Sequence, residues 1–170
     1  MHSLGVNAYR FSISWLEFHQ VSVTEGRFGE VNPSGIMFYN NIIDHLLLRG
    51  IEPFVTIFHF DLPQELEDRY GSWLSPLIHL TSVHTLSFSV SLKKKCSTRF
   101  SIELATINEP NLLSKIGYVR GWYPPAHCSE PFGNCSAGNS DVEPLIVMRN
   151  MLLSHAKAVK LYREQFQVIE

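Results

Sequence analysis

Gly50-Ile51-Glu52-Pro53-Phe54-Val55-Thr56-Ile57-Phe58-His59-Phe60 is a near-continuous apolar and β-branched run opened by a glycine. From Ile51 onward it reads as a strand buried on both faces, the kind found in a parallel sheet covered by helices. Upstream of Gly50, Ile36, Tyr39, Ile42, Ile43, Leu46 and Leu47 recur at three- and four-residue steps and trace one apolar face of a helix. Asn32 offers a side-chain acceptor to the first orphan amides, Pro33 presets φ, and Gly50 supplies the left-handed stop. Further upstream, between Ala8 and Trp15, Tyr9, Phe11 and Ile13 alternate with Arg10, Ser12 and Ser14, the period of a strand. Strand, helix and strand form a βαβ unit, whose product is a right-handed crossover onto a parallel sheet.

Downstream, a third strand is expected over Ile102–Ile107, ending in Asn108-Glu109-Pro110. A last helix begins near Asp141 or Glu143 and runs to about Gln165, with Leu145, Met148, Leu152, His155, Val159 and Tyr162 as its buried stripe. Alternation of strands and helices argues an α/β architecture. Gln64 to Arg69 reads as a solvated turn of helix. One segment behaves differently: from Leu77 to Leu92, Ser, Thr and His abound, and Leu86, Phe88, Val90 and Leu92 alternate with serines. Local rules make that a strand where a βαβ series wants a crossover helix. Lys93-Lys94-Lys95 then reads as a solvated loop.

Composition narrows the function. The chain has 170 residues, 45% apolar and 18% charged, and 14 Lys+Arg against 16 Asp+Glu give a net charge of -2. No basic field exists to draw it onto nucleic acid or an anionic membrane, so neither is an expected partner. Nothing at the start reads as a signal peptide, and no window reaches the ~18 apolar residues of a membrane span. The length falls short of the roughly 250 residues of a closed (β/α)8 barrel. Three cysteines are present; Cys128 and Cys135 flank a short loop, which allows a disulfide and leaves Cys96 over. The same loop holds a sequon, Asn134-Cys135-Ser136, open to glycosylation only in the secretory pathway. There is no HExxH, CxxC pair, GxSxG or phosphate-cradling glycine loop, so no metal or cofactor is expected.

In parallel-sheet enzymes, ligands gather at the carboxyl ends of the strands. Three such ends carry chemistry here: Arg10 on the first strand, His59-Phe60-Asp61 after the second, and Asn108-Glu109 after the third. Each has a purely structural reading. Arg10 can pair with a carboxylate, His59 can be a satisfied core histidine, and Glu109 before Pro110 can simply close a turn. Together, an acid, an imidazole and an amide beside a cation are what sugar chemistry uses. Glycosidic cleavage needs one carboxyl group to protonate the leaving oxygen and a second as nucleophile or base. Glu109 can be only one of these, and Asp61, Glu65, Glu67 and Asp68 are the other acids near a strand end.

Three of these blocks resemble glycoside hydrolase family 1: Ala8-Tyr9-Arg10-Phe11-Ser12-Ile13-Ser14-Trp15, Gly50 to Thr56 with Phe58-His59-Phe60-Asp61-Leu62-Pro63, and Thr106-Ile107-Asn108-Glu109-Pro110. Val31 to Ile36, Phe38 to Asn41, and Cys135-Ser136-Ala137-Gly138-Asn139-Ser140 are similar to the plant β-glucosidases within it. The resemblance implies an incomplete (β/α)8 TIM barrel, the region of strands 2–4 with their helices, and retaining hydrolysis of a small-molecule β-glucoside. It makes Glu109 the general acid/base, Asn108 a ligand of the sugar 2-hydroxyl, His59 a ligand of the 3-hydroxyl, and Arg10 the cation beside the nucleophile. It sets Tyr118 to Tyr123 along the aglycone side, and the Cys128/Cys135 pair resembles a family disulfide. It also points to a secreted, vacuolar or other secretory compartment.

The departures are specific. Residues 1–75 and 104–167 follow the family pattern, whereas 77–103 replace an expected amphipathic helix with a Ser/Thr/His-rich run, as a retained intron, a frameshift or a mis-joined exon would produce. Phe60 stands where the family has Trp, and Leu16-Glu17-Phe18 follows Trp15 where Ser or Pro and then Arg are expected. The family's nucleophile lies in a Thr-Glu-Asn-Gly or similar motif on a later strand, beyond these residues. The expectation is therefore a β-glucosidase by descent, inactive on its own. The alternatives are a non-catalytic sugar-binding relative and an inert product of a mis-spliced or truncated gene. A thioglucosidase is disfavoured because that branch replaces the acid/base with glutamine.

Overall fold

The computed structural model of the chain describes residues 4–15, 32–79 and 103–165. Three strands, β1 (Ala8–Ser12), β2 (Glu52–Phe58) and β3 (Glu103–Ile107), form one parallel sheet in the order β1-β2-β3. Its register pairs Ala8 with Glu52 and Ser12 with Thr56, then Phe54 with Glu103 and Phe58 with Ile107. The helices are α1 (Pro33–Leu47), α2 (Gln64–Tyr70), α3 (Pro110–Tyr118) and α4 (Glu143–Gln165), with a 3₁₀ turn over Ser72–Leu74. The strand expected within Leu77–Leu92 and the lysine loop after it lie outside the described residues, apart from Leu77, Ile78 and His79.

α1 follows its sequence signals closely. The Asn32 side chain accepts from the Ser34 amide at 3.0 Å, Pro33 occupies the first turn, and Gly50 sits at φ +69 just past the end. Tyr39, Ile43 and Leu46 are buried, with Ile36, Ile42 and Leu47 packed beside them. Ile13, Tyr39, Ile43 and Val55 form one cluster under α1, and Ile57 meets Ala158 of α4. A larger cluster gathers Trp15, Phe58, Leu66, Trp73, Leu113, Tyr118, Val147 and Met151 beyond the strand ends. The indole N–H of Trp15 is satisfied by the Ile57 carbonyl at 2.7 Å.

Three expectations need correction. The run over Ile51–Phe60 is buried on both faces only from Val55 to Phe58, since Glu52 and Phe54 are exposed on a face that no described helix covers. The segment after Glu109 is a nine-residue helix, α3, not merely a closed turn. The buried stripe of α4 is Val147, Asn150, Met151, Ser154 and Ala158, while Leu145 is 71% and Leu152 57% exposed. The helix is rotated by about one residue, or 100°, from the face its leucines select. Small Ser154 and Ala158 let α4 approach the sheet, and Asn150 Nδ2 donates to the Trp73 carbonyl at 2.8 Å. Among the described residues β1 and β3 are sheet edges. Unpaired edges and exposed leucines are what a piece of a larger parallel architecture leaves open.

Candidate functional site

Arg10, Thr56 and Asn108 meet on the sheet face that the helices leave uncovered. Along a strand, side chains alternate between faces, so Arg10 and Thr56 share one face while Phe11, Val55 and Ile57 pack under the helices. Arg10 Nε donates to Thr56 Oγ1 at 3.0 Å and Nη2 donates to Asn108 Oδ1 at 2.6 Å. The guanidinium carbon also lies 5.8 Å from the Phe54 ring centroid, within cation–π range. One cation thereby ties all three strands together. A guanidinium only donates, so the amide end that meets it is the oxygen, which leaves Nδ2 as the donor end of Asn108. Asn108 itself is 6% exposed and its backbone amide donates to the Phe58 carbonyl at 2.9 Å.

Glu109 follows at φ 37, ψ 61, in the left-handed region, and Pro110 opens α3 immediately afterwards. A β-strand becomes a helix within one residue here, at a conformational cost of about 1–2 kcal/mol for a side chain with a Cβ. The Glu109 side chain makes no cap hydrogen bond and stands exposed. Phe60, at the end of β2, is also left-handed at φ 69. Such strain clusters where the chain must aim side chains.

His59 is exposed at the end of β2, its ring edge-on to Phe60 at 5.4 Å, so it is not a core histidine. Phe60 in turn meets Tyr123 at 5.9 Å. Asp61 serves the backbone: Oδ1 accepts from the His59 amide at 3.2 Å and Oδ2 from the Trp15 amide at 3.3 Å. Burial raises this carboxyl above its ordinary value, against the pull of the His59, Asp61 and Trp15 amides and the Ser14 side chain. Two of the remaining acids near the strand ends have other work. Glu65 pairs with Arg69, and Asp68 accepts from Gln64 at 2.9 Å. Among the described residues no cluster of His, Cys, Asp and Glu could hold a metal ion.

Among the described residues Arg10 pairs with no carboxylate; its partners are a hydroxyl and an amide. Thr56 went unnoticed in the sequence, although its two-residue offset from Phe54 puts it on the face of Arg10. Tyr118, expected along an open aglycone side, is fully buried and its hydroxyl lies 3.3 Å from Ser72 Oγ. Trp122 and Tyr123 are 76% and 40% exposed. A disulfide joins Cys128 and Cys135 in the loop after α3.

The model of glycosyl hydrolase family 1 matches residues 1–170. Probable inactive β-glucosidase 14 of Oryza sativa subsp. japonica is 49% identical over 98% of this chain and 31% of its own length. Coniferin β-glucosidase of Pinus contorta is 47% identical over all of this chain and 32% of its own length. A family 1 β-glucosidase from the fungus Humicola insolens, solved in complex with glucose, superposes with a TM-score of 0.85 at 36% identity, over 96% of this chain and 33% of that one. The chain spans about a third of the length of these two relatives. Its parallel β1-β2-β3 sheet is accordingly part of a (β/α)8 barrel. The chain, with Arg10, His59, Asn108 and Glu109 at the ends and on the open face of its sheet, belongs to glycosyl hydrolase family 1.

Proposed function

We propose that this chain carries the acid/base half of a retaining β-glucosidase site. Glu109 protonates the leaving glycosidic oxygen and later takes a proton from the attacking water. Asn108 donates Nδ2 to the sugar 2-hydroxyl, His59 binds the 3-hydroxyl, and Arg10 holds Asn108 in orientation while its charge faces the nucleophile. The observation that carries this reading is the Arg10–Asn108 hydrogen bond, which fixes the amide next to an exposed Glu109 at the carboxyl end of β3.

A retaining site needs two carboxyl groups about 5–5.5 Å apart. Asp61, Glu65 and Asp68 are engaged elsewhere, and the nucleophile is expected from the part of the barrel outside these residues. The 170 residues alone are expected to hydrolyse no 4-nitrophenyl β-glucoside. Set in place of the matching third of the pine enzyme, the chain should restore hydrolysis. Glu109→Gln should then cost several orders of magnitude on substrates with poor leaving groups. Azide, a nucleophile needing no general base, should rescue turnover of an activated glucoside. Unchanged turnover in Glu109→Gln would remove the assignment.

A second reading, a sugar-binding protein without turnover, is favoured by the name of the rice relative. Saturable quenching of tryptophan fluorescence by glucose, without hydrolysis in the completed barrel, distinguishes it. The compartment that fits the oxidised Cys128–Cys135 pair is the secretory lumen, because such bonds persist in oxidising surroundings.

A further inference from the structure

The loop closed by Cys128 and Cys135 carries a feature that sugar hydrolysis does not use. Asn134-Cys135-Ser136 is the one Asn-X-Ser/Thr sequence in the 170 residues, X being other than proline. Asn134 and Ser136 are both exposed. The chain reaches them through a tight turn in which the Phe132 and Gly133 amides both donate to the Ser129 carbonyl, at 3.0 and 3.2 Å. Ser129 and Ser140 brace the base of the loop: the Ser129 amide donates to Ser140 Oγ at 2.8 Å and the Ser140 amide to Ser129 Oγ at 3.0 Å. Phe132, two residues before Asn134, keeps 39% of its surface exposed at the head of this turn.

We propose that Asn134 is an N-glycosylation site and that Phe132 is the platform for its first sugar. The bond forms between Asn134 Nδ2 and C1 of the reducing-end N-acetylglucosamine of a lipid-diphosphate-linked oligosaccharide. The C1–O bond to the diphosphate breaks, the lipid diphosphate leaves with the electron pair, and the amide nitrogen gives up a proton. The C–H groups on one face of the N-acetylglucosamine then lie over the negative face of the Phe132 ring. The disulfide and the glycan call for the same oxidising, transferase-containing compartment. The inference is independent of the glucosidase reading, since neither Asn134 nor Phe132 is part of that site.

The test translates the 170-residue chain behind a cleavable leader in the presence of endoplasmic-reticulum microsomes. Cleavage of the leader proves translocation. The expected product is a single upshifted band, collapsed by peptide-N-glycosidase and missing in Asn134→Gln and in Ser136→Ala. Transfer needs no completed fold, so an unstable chain does not blunt this readout. In the glycosylated chain, proton NMR should show ring-current upfield shifts of the first N-acetylglucosamine, lost in Phe132→Leu. A translocated chain without glycan overturns the site. A glycan whose proton shifts are the same with Phe132 and with Phe132→Leu overturns the platform.

Discussion

Replacing Arg10 with methionine removes the cation that joins the three strands on the open face. Two hydrogen bonds go with it, Nη2 to Asn108 Oδ1 at 2.6 Å and Nε to Thr56 Oγ1 at 3.0 Å. Hydrogen bonds to charged groups contribute about 1.5–3 kcal/mol each. Arg10 is itself exposed, so water replaces part of the loss and the lower figure applies. Asn108 and Thr56, 6% and 0% exposed, gain little from water in return, and Asn108 Oδ1 is left without its donor. The net cost of Arg10→Met is then about 2–3 kcal/mol. With a urea m-value of about 2 kcal/mol/M, the unfolding midpoint falls by about 1–1.5 M. The buried Trp15 and Trp73 report the transition by fluorescence. A double-mutant cycle with Asn108→Ala isolates the pair and should return a coupling of about 1.5 kcal/mol. A coupling below about 0.3 kcal/mol, within the error of additivity, refutes the claim that Arg10 holds Asn108 in orientation.

Two more outcomes follow from particular contacts. Gly121 sits at φ +64, and a Cβ there would lie 2.1 Å from Cys135 Sγ, so Gly121→Ala should keep the Cys128–Cys135 bond from closing. Thiol titration should find two additional reactive thiols per chain, with about 2.5 kcal/mol of loop-closure stabilisation lost; an intact disulfide in the variant contradicts this. His79 is 5% exposed, its Nε2 has no partner among the described residues, and its Nδ1 lies 3.1 Å from Lys157 Nζ. Burial, then the charges of Lys157 and Arg149, lower its pKa, outweighing hydrogen bonding to Asn150. Below about pH 6.5 the unfolded chain binds a proton that folded His79 refuses. Stability should therefore decline from about pH 6.5 down to the lowered pKa and level off beneath it. His79→Gln should flatten that limb of the urea midpoint against pH, and an unchanged slope excludes His79 as its source.

The site was legible to an uneven degree. His59, Asn108 and Glu109 could be found because each sits where an apolar run ends and parallel sheets collect chemistry there, and Arg10 because it is the cation carried by the first strand. That Arg10 and Asn108 bond to each other could not be found, since 98 residues separate them and only the register of three strands brings them together. The helix after Glu109 was hidden by Pro110, which marks a turn or a first helical residue equally well. Tyr118 shows the same limit, because an aromatic beside a loop reads as a ligand surface until the packing of Trp73 and Leu113 encloses it.

The sequence alone determined which segments are strand and which helix in β1, α1, β2, β3 and α4, because periods of two and of 3.6 are written in the side chains themselves. It also determined the ends of α1, where Asn32, Pro33 and Gly50 act on their own backbone. Only the tertiary structure decided which face of α4 is buried. Leucines mark a face that can be buried, but burial needs a neighbour, and Ser154 and Ala158 won the sheet because small side chains permit the closer approach.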